Sequence, residues 1–279
     1  MNDIGLFRVT VLIATWNRKD LIGKAIESVL QQSFSSWELI VIDDGSTDGT
    51  EEVVAKYIFR DSRVKYIKID HVGRIAVVSN RGLRLAVGDY IAILDDDDVW
   101  IDEDKLKKQV DFLDKNQLYV GCGSGMIGVD RSGNEMFRFL KPESDAEIKK
   151  RALCANPMIN STTMFRRSIA EKIGFYDETL SQFADWDFWL KIGTMGKLYN
   201  FQEYFVLYLI WDKSSSFTKQ KENARSALTI VKKYRKIYPN FKVAFVLAVL
   251  YRIYTFIPAS VRRFLNPIFS IAKKKIFSK

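Results

Sequence analysis

Four short apolar runs, separated by longer stretches of helical periodicity, fill the chain from Phe7 to Leu94, and that alternation leaves few architectures open. Phe7 to Ala14, Glu38 to Ile42, Val64 to Ile69 and Tyr90 to Leu94 have the length and composition of buried strands. Between them, Asp20 to Gln32 carries Leu21, Ile22, Ala25, Ile26, Val29 and Leu30 at helical spacing, and Ile75 to Ala86 reads as another helix. Asp48-Gly49-Thr50-Glu51 has the spacing of a capping box, which predicts a helix running to about Phe59. Consecutive strand-helix units bury their apolar faces in a parallel sheet covered on both sides, where ligands collect at the carboxyl ends of the strands.

The polar clusters fall at those ends. Thr15-Trp16-Asn17 follows the first strand, Asp43-Asp44-Gly45-Ser46-Thr47-Asp48-Gly49 the second, and Asp95-Asp96-Asp97-Asp98 the fourth. Glycines and short polar side chains let backbone approach a ligand closely, and a carboxylate there can accept hydrogen bonds from a base or ribose. Four adjacent carboxylates repel one another unless a cation or amide donors offset the charge. Hard oxygen ligands suit magnesium or manganese bridging to a substrate phosphate, the alternative being a solvated acidic turn. Val99 and Trp100 exclude an EF-hand loop, and neither a GxGxxG after the first strand nor a Walker A loop is present.

With 279 residues, 47% of them hydrophobic and only 5 prolines, the chain forms one large domain or a domain with an appendage. Its net charge of +9 is misleading, because no Asp or Glu follows Glu222 while 13 Lys or Arg do, leaving 30 basic against 34 acidic residues before that point. A nucleic-acid partner is therefore not expected. Cys122 and Cys154 are too few for a disulfide framework or a zinc site and read as thiols in a reducing compartment. The start lacks a basic segment followed by a long apolar one, and no run reaches transmembrane length, so the expected location is cytoplasmic.

Val11 to Asn17, Ile40 to Asp48, Asn80 through Gly88-Asp89-Tyr90-Ile91, and Leu94 to Trp100, followed by Thr162 to Arg167, Gly174 to Glu178 and Ala184 to Lys191, together resemble the inverting family-two glycosyltransferases of GT-A fold. The resemblance covers roughly residues 7 to 217. It implies an α/β fold with a Rossmann-like, mostly parallel sheet flanked by helices, a nucleotide-sugar half at about 7–120 and an acceptor half at about 121–219. It also implies a UDP-sugar donor and a Mn2+ or Mg2+ cofactor. Carried over by position, Ala14 and Thr15 line the base, Asp44 hydrogen-bonds uracil, Asp95 and Asp96 lie near ribose and sugar, Asp97 binds the metal, and Asp185 is the catalytic base. Asn17 is placed with the nucleotide-binding residues, and Arg74 near the diphosphate. The Q-x-x-R-W motif of processive synthases is missing, which favours one addition per cycle.

The chemistry agrees with that assignment, since displacement at an anomeric carbon needs a base on the acceptor side and charge stabilisation on the diphosphate side. Asp185 and Asp187 are two apart, so on a helix from Phe183 to Met195 only one aims into the crevice. Trp186 and Trp189 either pack that helix or form a platform for an acceptor sugar. Lys213 and Asp212 are candidates for phosphate and cation contacts, the role of Asp98 stays open, and His71 reads as a loop residue without function, contact with the nucleotide being the other reading. Ser124 to Phe139 is predicted to be a strand pair turned at Asp130 to Asn134.

Beyond Lys219, Asn223 to Ile237 reads as a helix, and an apolar run from Val243 to Tyr251 extends through Ile257 to Pro258. Arg262, Arg263 and Lys273 to Lys275 then alternate with apolar residues, as in a helix lying on an anionic membrane face. The expectation is a 1–219 transferase domain with a 220–279 helical tail, peripheral on the inner face of the cell membrane and acting on a glycan or lipid-linked oligosaccharide. A helical appendage packed on the domain or in a dimer interface is the other reading of the tail. A nucleotide-sugar binding scaffold without turnover is the other reading of the whole chain.

Overall fold

The computed structural model describes residues 7–211 and 218–257. Its strands are β1 (Val9–Thr15), β2 (Trp37–Asp43), β3 (Val64–Lys68), β4 (Tyr90–Ile93), β5 (Val99–Trp100), β6 (Tyr119–Val129), β7 (Glu135–Phe139), β8 (Met164–Arg166) and β9 (Lys197–Leu209). They form one sheet in the order β3-β2-β1-β4-β8-β6-β9-β5, with β7 paired to β6 outside that row. The first four strands are mutually parallel, as the strand-helix alternation requires. β8 runs antiparallel to both β4 and β6, so the second half of the sheet is mixed. β6 and β7 make the expected antiparallel pair around residues 130–134.

Side chains alternate across a strand, and that sorts the core into two layers. Val9, Val11 and Ile13 join Leu39, Val41 and Ala92 beneath α1 (Ile22–Leu30) and α4 (Lys105–Lys115). Leu12, Ile40, Ile42, Ile91 and Ile93 face the other way, under α3 (Ile75–Leu85), α6 (Arg167–Lys172) and α7 (Ala184–Gly193). α3 lies so close to the sheet that a Cβ on Gly82 would sit 2.3 Å from Leu12 Cδ1.

α2 (Thr50–Arg60) starts without the expected capping box. Gly49 takes the cap position with φ 96°, and Asp48 Oδ1 accepts the N–H and hydroxyl of Thr50, while its Oδ2 accepts Lys19 N–H at 3.1 Å. Asp48 is thus recruited to fasten the loop after β1, which outweighs a box with Glu51.

The boundary near residue 219 does not separate two packed units. α8 (Gln220–Lys233) inserts Ala227, Ile230, Val231 and then Tyr234 against Trp186, Leu190, Ala152 and Leu153. Tyr238 donates its hydroxyl to Leu190 O at 2.7 Å, and α9 (Phe241–Tyr254) rests Ala244 and Ala248 on the same cluster. Among the described residues no helix is long and apolar enough to cross a membrane. Asp212, Lys213 and the alternating segment after Pro258 lie outside the described residues.

Candidate active site

Three loops meet at the carboxyl ends of β1, β2 and β4, and hydrogen bonds lock the first two together. Asn17 sits at φ 53°, a left-handed conformation that Asn tolerates better than most residues. Its N–H donates to Ser46 Oγ at 2.8 Å and its Oδ1 accepts Thr47 N–H at 2.9 Å. Thr15 is buried and Ala14 partly buried against the α3 side of the core.

Asp44 is 5% exposed, and its two carboxylate oxygens accept the N–H groups of Val72 (2.7 Å) and Gly73 (2.8 Å). His71 Nδ1 lies 2.8 Å from the Asp44 carbonyl and 3.1 Å from its carboxylate; both partners are acceptors, so Nδ1 carries the proton. The His71 ring stacks on Trp16, with centroids 4.7 Å apart and planes 24° from parallel. Gly45 is required beneath this loop, because φ is +73° and a Cβ would stand 2.9 Å from His71 N. His71 is thereby held between Asp44 and Trp16. Arg74 caps α3, and its Nη1 donates to Glu178 O at 3.1 Å, tying this loop to the segment before α7.

The acidic run is divided by its partners. Asp98 is buried and accepts Ser161 Oγ at 2.5 Å and Leu209 N–H at 3.1 Å, a strut between β4, the 3-10 turn Asn160–Thr162 and β9. Asp95 accepts Asn160 Nδ2 at 2.9 Å and donates its N–H to Ser161 Oγ. Asp96 pairs with Arg18 at 3.5 Å, and Asp97 accepts Trp211 Nε1 at 3.1 Å. The Arg18 guanidinium also lies 4.9 Å over the Trp211 ring.

Burial and mutual repulsion push these carboxyls upward. Asp95 and Asp96 rise to about 7, through burial first and the Asp97 charge next. Asp97 is raised by burial, and Asp98 well above its ordinary value by burial and then Asp95 and Asp97. Crowded hard oxygens with raised protonation fit a divalent cation, which would relieve the repulsion. Among the described residues no group of three His, Cys, Asp or Glu encloses a metal site.

Across the crevice, α7 opens after Phe183, whose φ is 59°. Asp185 in its first turn accepts Asn156 Nδ2 at 2.6 Å, and burial raises its carboxyl. Its charge in turn raises Asp95, so the two acidic centres lie within electrostatic reach. Asp187 points the other way: it is fully buried and accepts Lys233 Nζ at 2.8 Å. The platform reading of the tryptophans is corrected here. Trp189 is fully enclosed, packed edge-on to Phe165 and Phe188, and the buried Trp186 donates Nε1 to Ala152 O at 2.8 Å. Both side chains serve the apolar interior, where burying an indole yields more than exposing it on a helix.

Thr15, Asn17 and Asp44 thus belong to one hydrogen-bonded pair of loops, Asp96 lies beside Thr15, Asp95 is within electrostatic reach of Asp97 and Asp185, and Arg74 is held by the Glu178 carbonyl. Sequence reasoning missed Arg18, Trp211, Asn156 and Ser161. Arg18 adjoins Asn17 and Trp211 adjoins the flagged Asp212, which is a weak signal for each; Asn156 offers none.

A family model described as Glycosyl transferase family 2 matches residues 10–174. EpsE of Bacillus subtilis (strain 168), a glycosyltransferase by name, is 34% identical over 217 residues, covering 76% of either chain. The Escherichia coli UDP-Glc:alpha-D-GlcNAc-diphosphoundecaprenol beta-1,3-glucosyltransferase WfaP is 35% identical over 122 residues, which is 44% of this chain and 47% of that protein. The crystal structure of S. aureus TarS 1-349 in complex with UDP-GlcNAc superimposes with a TM-score of 0.70 at 19% identity, over 90% of this chain and 73% of that one. That likeness gives the fold.

Proposed function

The chain belongs to glycosyl transferase family 2, and on that premise we propose an inverting transfer of a hexose from a UDP-sugar to a lipid-linked glycan, with Asp185 as base and Asp97 as metal ligand. The observation that carries this reading is that the acidic run after β4 and Asp185 in the first turn of α7 lie within electrostatic reach of each other, with Asp185 oriented by Asn156. Asp44, the stacked Trp16 and His71, and the 45–48 loop offer a flat, hydrogen-bonding wall for a uracil base. The UDP-sugar complex of TarS and the lipid-linked substrate named for WfaP support donor and acceptor class.

In the reaction Asp185 takes the proton of the acceptor hydroxyl as that oxygen attacks the anomeric carbon. The bond from that carbon to the diphosphate oxygen breaks on the opposite face, UDP departs with the electron pair, and the new bond has inverted configuration. Asn156 orients the base through its 2.6 Å hydrogen bond. Arg18, held between Asp96 and Trp211, places a permanent positive charge beside the leaving group. A divalent cation held by Asp97 would supply the remaining charge stabilisation for the diphosphate.

The test is transfer from labelled UDP-hexoses to undecaprenyl-diphosphate-linked GlcNAc with manganese present. Product of inverted configuration that Asp185→Asn no longer makes is the expected result. No product from any UDP-sugar, alongside product from a GDP- or dTDP-sugar, would overturn the donor assignment.

A further inference from the structure

Helix α9 has a second face that the domain does not use. Ala244 and Ala248 lie against the α8 cluster with Phe241 and Phe245, whereas Val243, Val246, Leu250 and Ile253 recur at i, i+3, i+7 and i+10 on the opposite side. Each of these four is more than half exposed, and so are Ile237 before the helix and Phe256 after it. A contiguous aliphatic stripe on a helix facing water marks a docking surface.

We propose that this stripe rests on an anionic lipid bilayer. Charge decides between the occupants: Lys232, Arg235, Lys236 and Lys242 are exposed on and between α8 and α9, and no Asp or Glu follows Glu222 in the sequence. Two copies meeting through this face would bring these basic side chains together, whereas anionic headgroups neutralise them directly. Length fixes the orientation. Fourteen residues span about 21 Å, short of the roughly 30 Å hydrocarbon layer, so the helix lies along the surface with its stripe in the acyl boundary. This placement is independent of the transfer reaction.

The experiment is co-sedimentation of the full chain with vesicles of phosphatidylcholine alone or with about a third phosphatidylglycerol. The expected result is binding to the mixed vesicles that weakens with salt, and about tenfold weaker binding for Val246→Ser combined with Leu250→Ser. Phe59→Ser, at an exposed apolar residue on α2, controls for general stickiness and should bind as the parent does. Melting temperature checks that the variants fold. Equal binding of parent and double variant overturns the proposal, as does equal binding to neutral vesicles. So does a dimer in sedimentation velocity that the double variant abolishes, since the occupant would then be a second copy. Binding lost on Lys273→Gln, Lys274→Gln and Lys275→Gln but kept in the α9 variant would likewise move the contact away from α9.

Discussion

Lys233 of α8 reaches the fully buried Asp187 of α7 at 2.8 Å, two residues beyond the base candidate Asp185, and also holds Asp177 at 2.9 Å. Among the described residues Asp187 has one further ion-pair partner, Lys191 at 4.0 Å. The helix that carries Asp185 is thus anchored from behind by a residue outside the 10–174 family match. Removing Lys233, itself partly exposed, takes a hydrogen-bond donor from the buried Asp187 and leaves it Lys191 at 4.0 Å, so Lys233→Ala should lose about 2 kcal/mol of stability and some 4–8 °C in Tm. Denaturant and thermal unfolding measure this, and an unchanged Tm would show that the pair does not hold α7.

Asp185→Asn keeps an oxygen for Asn156 while removing the base. Transfer should fall by about a thousandfold with UDP binding unchanged, since general-base catalysis is worth roughly 10²–10⁴. Burial raises the Asp185 carboxyl, so kcat/KM should fall on the acid side at a pH above the ordinary aspartate value of about 3.9. The folded state binds this proton more tightly than the unfolded chain, so ionising Asp185 costs stability as pH rises from that ordinary value through the raised one. The Asn variant should therefore melt no lower than the parent at neutral pH. A lower melting temperature would contradict the buried-carboxylate account.

Asp97 and Asp98 are adjacent in sequence but should fail differently. Asp97→Ala should abolish the manganese-dependent rise in Tm that UDP produces while leaving the Tm of the protein alone nearly unchanged. Asp98→Ala should instead lower that Tm, because Ser161 and Leu209 lose their buried acceptor. Thermal shift with and without chelator separates the two, and identical behaviour would refute the division.

Trp189→Ala removes a fully buried indole between Phe165 and Phe188, and should cost about 4 kcal/mol while leaving the acceptor KM of the remaining folded enzyme within twofold. A large rise in acceptor KM with unchanged stability would restore the platform reading.

Arg18→Ala tests a residue that sequence reasoning passed over. Removing the cation between Asp96 and Trp211 should weaken UDP-sugar binding about tenfold or more, by loss of a charge beside the diphosphate. Calorimetry with UDP and with uridine isolates the effect, because uridine lacks the diphosphate and should bind both proteins alike.

The first half of the fold was legible because β1, β2 and β4 are buried on both faces and the helices keep strict periodicity, so Val9 to Leu94 has one economical arrangement. The same rule brings Asp44 and the acidic run to one edge, since loops that follow parallel strands share an end of the sheet. The 48–51 capping box was misread because its carboxylate had a partner remote in sequence, Lys19 N–H, which local spacing does not encode.

What the sequence alone determined is the set of chemistry-bearing loops and the end of the sheet they occupy, because period and strand order are local properties. Only the tertiary structure decided which of Asp185 and Asp187 faces the crevice, that Asp98 is a strut, that Trp186 and Trp189 are interior, and that α8 belongs to the domain. Each of those outcomes depends on partners tens of residues away, Asn156, Ser161, Phe165 and Lys233 among them, and burial against a distant partner leaves no mark on the spacing of the residues themselves.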